Sequence, residues 1–156
     1  MFTGGALAAP GIKVLHAFGS GNDGGGLWAS LAFDSEGNLY GTTSGGGAHD
    51  DGTVFELTPE PDGTWTESIL HSFSFGDPAG SGPMSAPFLD VAGNLYATAV
   101  GGGVHNGGTV FELAHDTWAE TILYSFCSKP KCSDGGAPEG GLVHEHEGNF
   151  YGTAGY

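Results

Sequence analysis

A chain of 156 residues predicts one domain or a tandem array of smaller units, and its 31 glycines and 8 prolines together reach the level of low-complexity sequence. Aromatic residues at 12% and regularly spaced apolar runs oppose disorder. Only 13% of residues are charged, with 18 Asp and Glu against three lysines, for a net charge of −15, which argues against nucleic acid or anionic membranes as partners.

In chain order, residues 1–11 form an N-terminal segment without the charged n-region and apolar core of a signal peptide. This segment stands where the last strand of a preceding copy would lie, so it is a candidate closing strand, although Gly4-Gly5-Ala6 suits a strand poorly. Repeat 1 (12–63), repeat 2 (64–116) and repeat 3 (117–156) follow. Val14-Leu15-His16-Ala17-Phe18 returns as Ile69-Leu70-His71-Ser72-Phe73 and Ile122-Leu123-Tyr124-Ser125-Phe126. Gly37-Asn38-Leu39-Tyr40-Gly41-Thr42-Thr43 returns twice, its tyrosines 56 and 55 residues apart at Tyr40, Tyr96 and Tyr151. Gly52-Thr53-Val54-Phe55-Glu56-Leu57 returns once, as Gly108 to Leu113, so repeat 3 lacks its fourth run. No apolar run approaches the roughly 18 residues needed to cross a bilayer, and membrane insertion is not expected.

Each copy reads as short β-branched and aromatic runs separated by glycine and Asn/Asp turns, predicting an all-β fold of four-stranded antiparallel meanders. Strict alternation along the run at 65–73 puts Trp65, Glu67, Ile69, His71 and Phe73 on one bulky face and Thr66, Ser68, Leu70 and Ser72 on the other. Bulky and small faces can stack as blades do in a β-propeller. A ring needs roughly 4 to 8 blades, so the chain is incomplete as a propeller by itself, and an unpaired edge recruits further strands.

These boxes together resemble the bacterial GloVer tandem-repeat family over nearly everything from Ile12 onward. The resemblance implies an extracellular or cell-surface protein with several copies, often ending in a sorting anchor, and no established molecular activity. The copy number here is smaller than in typical members, and no anchor is recognised. The Asp-x-x-Gly-Asn-Leu-Tyr turn is also similar to NHL-type propeller blades.

Among candidate sites, Cys127 and Cys132 flank four residues and predict a disulfide, which suits a secreted chain and would contribute about 2 to 3 kcal/mol. A competing zinc set joins them to His144 and His146, with spacing unlike common zinc modules. Calcium is the cation that acidic loops at Asp23, Asp50, Asp51, Asp77 and Asp134 would hold, solvated charge being the simpler reading. His16 and His71 share one repeat position and His49 and His105 another, as expected of residues that pack or order loops. Gly19 to Gly24 fits G-x-G-x-x-G but leads into a strand rather than a helix, which argues against nucleotide binding. Neither G-x-S-x-G nor H-E-x-x-H is present.

The sequence therefore points to a non-enzymatic secreted β-repeat protein that partners copies of itself in a ring or head-to-tail filament. The main alternative is a lectin-like module whose glycan sites use Trp28, Trp65, Trp118, His49 and His105. An enzyme with a site formed across subunits is the lesser alternative.

Overall fold

The computed structural model describes residues 11–19, 22–76, 78, 80–145 and 148–155. The candidate closing strand at 1–10 lies outside them, as do Asp77 and His146. The architecture is all-β, with antiparallel sheets that do not close into a ring.

Sheet 1 is a meander of β1 (Ala32–Phe33), β2 (Leu39–Thr43), β3 (Thr53–Pro59) and β4 (Trp65–Ser72). In sheet 2 the innermost strand is broken into β5 (Ser81–Pro83) and β6 (Phe88–Leu89), both paired to β7 (Leu95–Gly101). Next to β7 run β8 (Thr109–Ala114) and β9 (Ala119–Ser125). The third sheet contains β10 (Val143–His144) and β11 (Phe150–Tyr151). Bridges Gly25 to Gly45 and Gly136 to Gly155 continue the inner pairing in the first and third sheets.

The sheets are offset from the sequence repeats by one strand. The run at Trp65 opens repeat 2 in sequence, yet β4 pairs with β3 and completes sheet 1. Likewise β9, which opens repeat 3, is the outer strand of sheet 2. A hairpin between consecutive runs is the shortest way to pair their backbones, and it fixes this phase.

The expected alternation fails at one point in each outer strand. Val54 pairs with His71 while Phe55 pairs with Ile69, so Leu70 is the extra residue of a β-bulge. Directly paired residues share a face, and Val54 and Phe55 face opposite ways. His71 is therefore on the face opposite Ile69 and Glu67, not on the same one. Leu123 makes the same bulge in β9, where Val110 pairs with Tyr124 and Phe111 with Ile122.

The bulge lets the end of β4 turn onto the neighbouring sheet. Phe73 is fully buried and packs edge-on against Phe111 of β8, ring centroids 5.2 Å apart. Around them lie Tyr40 and Val54 from sheet 1 and Leu95, Ala97, Ala99 and Leu113 from sheet 2, the main core of the molecule. A smaller cluster of Leu39, Phe55 and Leu57 on the other face of sheet 1 is covered by Leu15 and Phe18, with Phe18 and Phe55 4.6 Å apart. Gly52, at φ +102°, accepts the Phe73 backbone N–H, and a Cβ there would lie 2.7 Å from Pro83 Cδ of sheet 2. Gly108 holds Phe126 against Pro138 in the same way. Only glycine permits this close approach of sheets.

Truncating a fully buried aromatic side chain removes its transfer energy and leaves a cavity. Phe73→Ala is expected to lower unfolding free energy by about 3–5 kcal/mol. Phe126→Ala, at the half-covered equivalent position, is expected to lose no more than about half as much. Urea unfolding of both variants measures the difference.

Candidate functional site between the sheets

Two polar constellations recur at the sheet junctions. The first lies at the hairpin ends. Asp34 Oδ1 accepts the backbone N–H groups of Glu36 (2.8 Å) and Asn38 (2.9 Å), while Oδ2 accepts the Asn38 side-chain amide (2.8 Å). The Tyr40 hydroxyl lies 3.1 Å from Asp34 Oδ2 and 2.9 Å from Glu56 Oε1. Asp90, Asn94, Tyr96 and Glu112 repeat the arrangement within 0.1 Å. In the third sheet Glu145 replaces the aspartate and still accepts from Asn149 and Tyr151. Gly37, at φ +92°, supplies the left-handed residue of the turn.

Burial by itself would raise the Asp34 and Asp90 carboxyls, but the hydrogen bonds from asparagine, backbone and tyrosine outweigh it and hold both below the ordinary range. Burial first, then Glu56 and Asp34, push the Tyr40 phenol well above its ordinary value. One phenolic proton between two carboxylates makes this a clamp from turn to third strand. The turn motif and the Glu of Thr-Val-Phe-Glu-Leu are thus two halves of one network.

At the opposite end of the strands, Thr42 Oγ1 donates to the Ser85 carbonyl of the next sheet (3.0 Å) and Thr98 Oγ1 to the Pro138 carbonyl (3.0 Å). His16 Nε2 lies 3.4 Å from Asp23 Oδ2 and 3.8 Å from Glu67 Oε2. His71 Nε2 lies 3.6 Å from Glu120 Oε2 at the next junction. Desolvation raises the Glu67 carboxyl above its ordinary value, with His16 opposing the shift. This convergence joins residues from three places in the chain. The signal for it was the coincidence of His16 with His71 and of Glu67 with Glu120 in the repeat.

Cys127 and Cys132 form the expected disulfide. The bond takes both thiols, leaving no thiolate to complete a zinc set with His144, which instead packs against Phe150 at 4.9 Å. Asp50 accepts the Gly46 N–H (3.0 Å), and Asp51 accepts the Phe75 N–H (2.7 Å). Asp134 accepts from the Tyr124 hydroxyl (2.7 Å) and the Ser128 N–H (2.9 Å). Each of these carboxylates is committed to backbone or tyrosine donors, the adjacent Asp50 and Asp51 to Gly46 and Phe75 and Asp134 to Tyr124 and Ser128. Among the described acidic candidates, Asp23 alone joins a histidine and a second carboxylate.

Trp28 is 74% exposed, its indole N–H donating to Ser44 Oγ (3.1 Å). Trp65 packs on the Leu39 cluster and Trp118 on the main core. Trp118, at φ +51°, also lines a polar cleft of about 440 Å³ with Asp34, Asn38, Glu56 and His115. His49 and His105 are exposed in separate loops. The structure does not gather the three tryptophans and two histidines into one site.

Antiparallel meanders stacked face to face by a contact that recurs every repeat define a propeller-like tandem-repeat protein. The chain belongs to the Gloeobacter/Verrucomicrobia repeat family, whose profile matches residues 6–156. No curated protein matches it in sequence.

Because the folded-state pKa values of Asp34 and Asp90 lie below their unfolded values, their stabilising contribution is complete above about pH 4 and is lost as pH falls through the folded values. Guanidinium unfolding at a series of pH values below neutrality is expected to show this loss. The double variant Asp34→Asn, Asp90→Asn should flatten it. Tyr96→Phe is expected to cost about 1 kcal/mol at pH 7 by removing the clamp hydrogen bond.

Proposed function

We propose that this repeat protein is non-enzymatic and secreted, and that it works by assembly, its end sheets stacking on further copies of the same repeat. The observation that carries this reading is a difference in exposure at one repeat position. Pro83 and Pro138 are fully buried where a preceding sheet covers them, while Leu27 at the same position is 44% exposed. At the other end of the stack, Leu123 and Tyr124 border a cleft of about 510 Å³ with Phe126 and Phe150. Both surfaces lie at the repeat positions that sheets 1 and 2 bury against each other.

A disulfide supports an oxidising, extracellular setting. Glu56 and Glu112, two of the repeat-equivalent strand carboxylates, accept hydrogen bonds from the Tyr40 and Tyr96 hydroxyls, which favours a structural role. Light scattering and negative-stain microscopy on one purified sample test the reading. Rings or fibres of mass well above 15.8 kDa are expected. Leu123→Glu, on the exposed face, should return the protein to monomers with its thermal stability intact. A stable monomer at high concentration would overturn assembly.

The cleft beneath Trp118 supports a second reading, a glycan-binding module with one shallow site per junction. An aromatic face beside carboxylate and amide groups is the usual chemistry for a sugar ring. A glycan array without a binder, or binding undiminished in Glu36→Gln with Asn38→Ala, would remove it.

A further inference from the structure

We propose that His16, Asp23 and Glu67 form a binding site for a first-row divalent cation, with zinc the best match, at the junction between residues 12–18 and sheet 1. The three groups come from the segment before sheet 1, from the glycine loop that follows it, and from β4. Their ligand atoms all lie within 4.8 Å of one another. Tetrahedral zinc with ligands at roughly 2.0–2.2 Å requires ligand atoms about 3.4 Å apart. The His16–Asp23 and His16–Glu67 separations of 3.4 and 3.8 Å are close to that edge length. One imidazole nitrogen and two carboxylate oxygens suit zinc, and manganese or cobalt less tightly.

Two independent observations point to a ligand. Glu67 is only 12% exposed, and its Oε1 is shielded from solvent without a hydrogen-bond partner. A buried carboxylate oxygen in that condition is costly. Charge balance is the second. Among the described residues no lysine forms an ion pair with a carboxylate, and Lys13 donates instead to the Gly63 carbonyl (2.5 Å). Two carboxylates converge on one imidazole here, and a dication would balance their charge.

The supporting shell and the access route are also present. Asp23 Oδ1 accepts the Gly19 N–H (3.1 Å), which aims Oδ2 at the histidine. His16 borders one open cleft, with Leu15 and Leu31, and Asp23 borders another, with Gly45 and Asp50. An ion can enter from either, and its fourth position stays available to water. His71 and Glu120 repeat the imidazole–carboxylate pair one junction on. At the third, Tyr124 replaces the histidine and hydrogen-bonds Asp134, so the nitrogen ligand is lost.

The test is calorimetric titration of the chelator-treated full chain with Zn²⁺ at pH 7, with Ca²⁺ and Mg²⁺ in parallel. Saturable zinc binding is expected, with one equivalent lost, or weakened at least about 100-fold, in His16→Ala and in Glu67→Gln. His49→Ala, an exposed histidine, should titrate like the parent. Co²⁺ should give the visible absorption of a tetrahedral site, absent in Glu67→Gln. Glu67→Gln preserves side-chain shape, so it carries the test if His16→Ala does not fold. No saturable zinc binding, binding undiminished in both variants, or preference for calcium would overturn the proposal and leave an imidazole–carboxylate contact only.

Discussion

The Phe73–Phe111 contact is the constraint on which the rest of the molecule depends. Neither strand pairing nor turn chemistry alone would hold a chain so rich in glycine, because ordering glycine carries the largest backbone entropy loss. The offsetting gain comes from apolar burial between sheets, and the aromatic pair lies at its centre. To reach Phe111, the end of β4 must leave the plane of its own sheet. The Leu70 bulge provides that departure, and Gly52, which accepts the Phe73 N–H, lies close against Pro83. Phe18 on Phe55 repeats the contact one sheet earlier. The glycines are thus concentrated where sheets approach, and the low-complexity composition is a consequence of stacking rather than a sign of disorder.

A second constraint is charge. Eighteen acidic residues on a small fold repel one another unless individual carboxylates are given donors. The chain has few cations, so it uses backbone N–H groups, asparagine amides and tyrosine hydroxyls instead. Asp34, Asp90 and Glu145 each close a hairpin in this way, and Asp50, Asp51 and Asp134 each order a loop. Glu67 and Glu120 are different because they point into sheet junctions, away from any turn, and face His16 and His71. Their setting follows from their places on β4 and β9, the strands that bridge neighbouring sheets.

Local features were legible in the sequence. The Asp-x-x-Gly-Asn-Leu-Tyr turn is read directly from residue types whose positive φ and side-chain hydrogen bonds act within seven residues. The repeat, the antiparallel meander and the Cys127–Cys132 bridge were equally accessible. The phase of the sheets was not, since a periodic sequence has no marked beginning and only hydrogen bonding assigns Trp65–Ser72 to the sheet before it. The bulge was hidden because Ile69-Leu70-His71 continues a plausible alternation, and the extra residue is as apolar as its neighbours. The placement of Trp118 was also hidden, because the turn before it draws its N–H to the Ala114 carbonyl (2.6 Å), a positive-φ geometry the residue type does not announce.

What the offset between repeat and sheet adds is a mechanism for continuity. Because each outer strand belongs to one sheet by hydrogen bonding and to the next by side-chain packing, no sheet is independent of its neighbour. Thr42 on Ser85 and Thr98 on Pro138 tie the inner strands in the same direction. Junctions therefore carry both much of the apolar burial and polar groups that converge from separate sheets. In a protein built this way, selection for a ligand acts most readily at the junction, where one substitution per repeat, such as Tyr124 for histidine, switches a site without disturbing the sheet. The His16 and His71 junctions set an imidazole against a strand glutamate, whereas Tyr124 at the same position hydrogen-bonds Asp134.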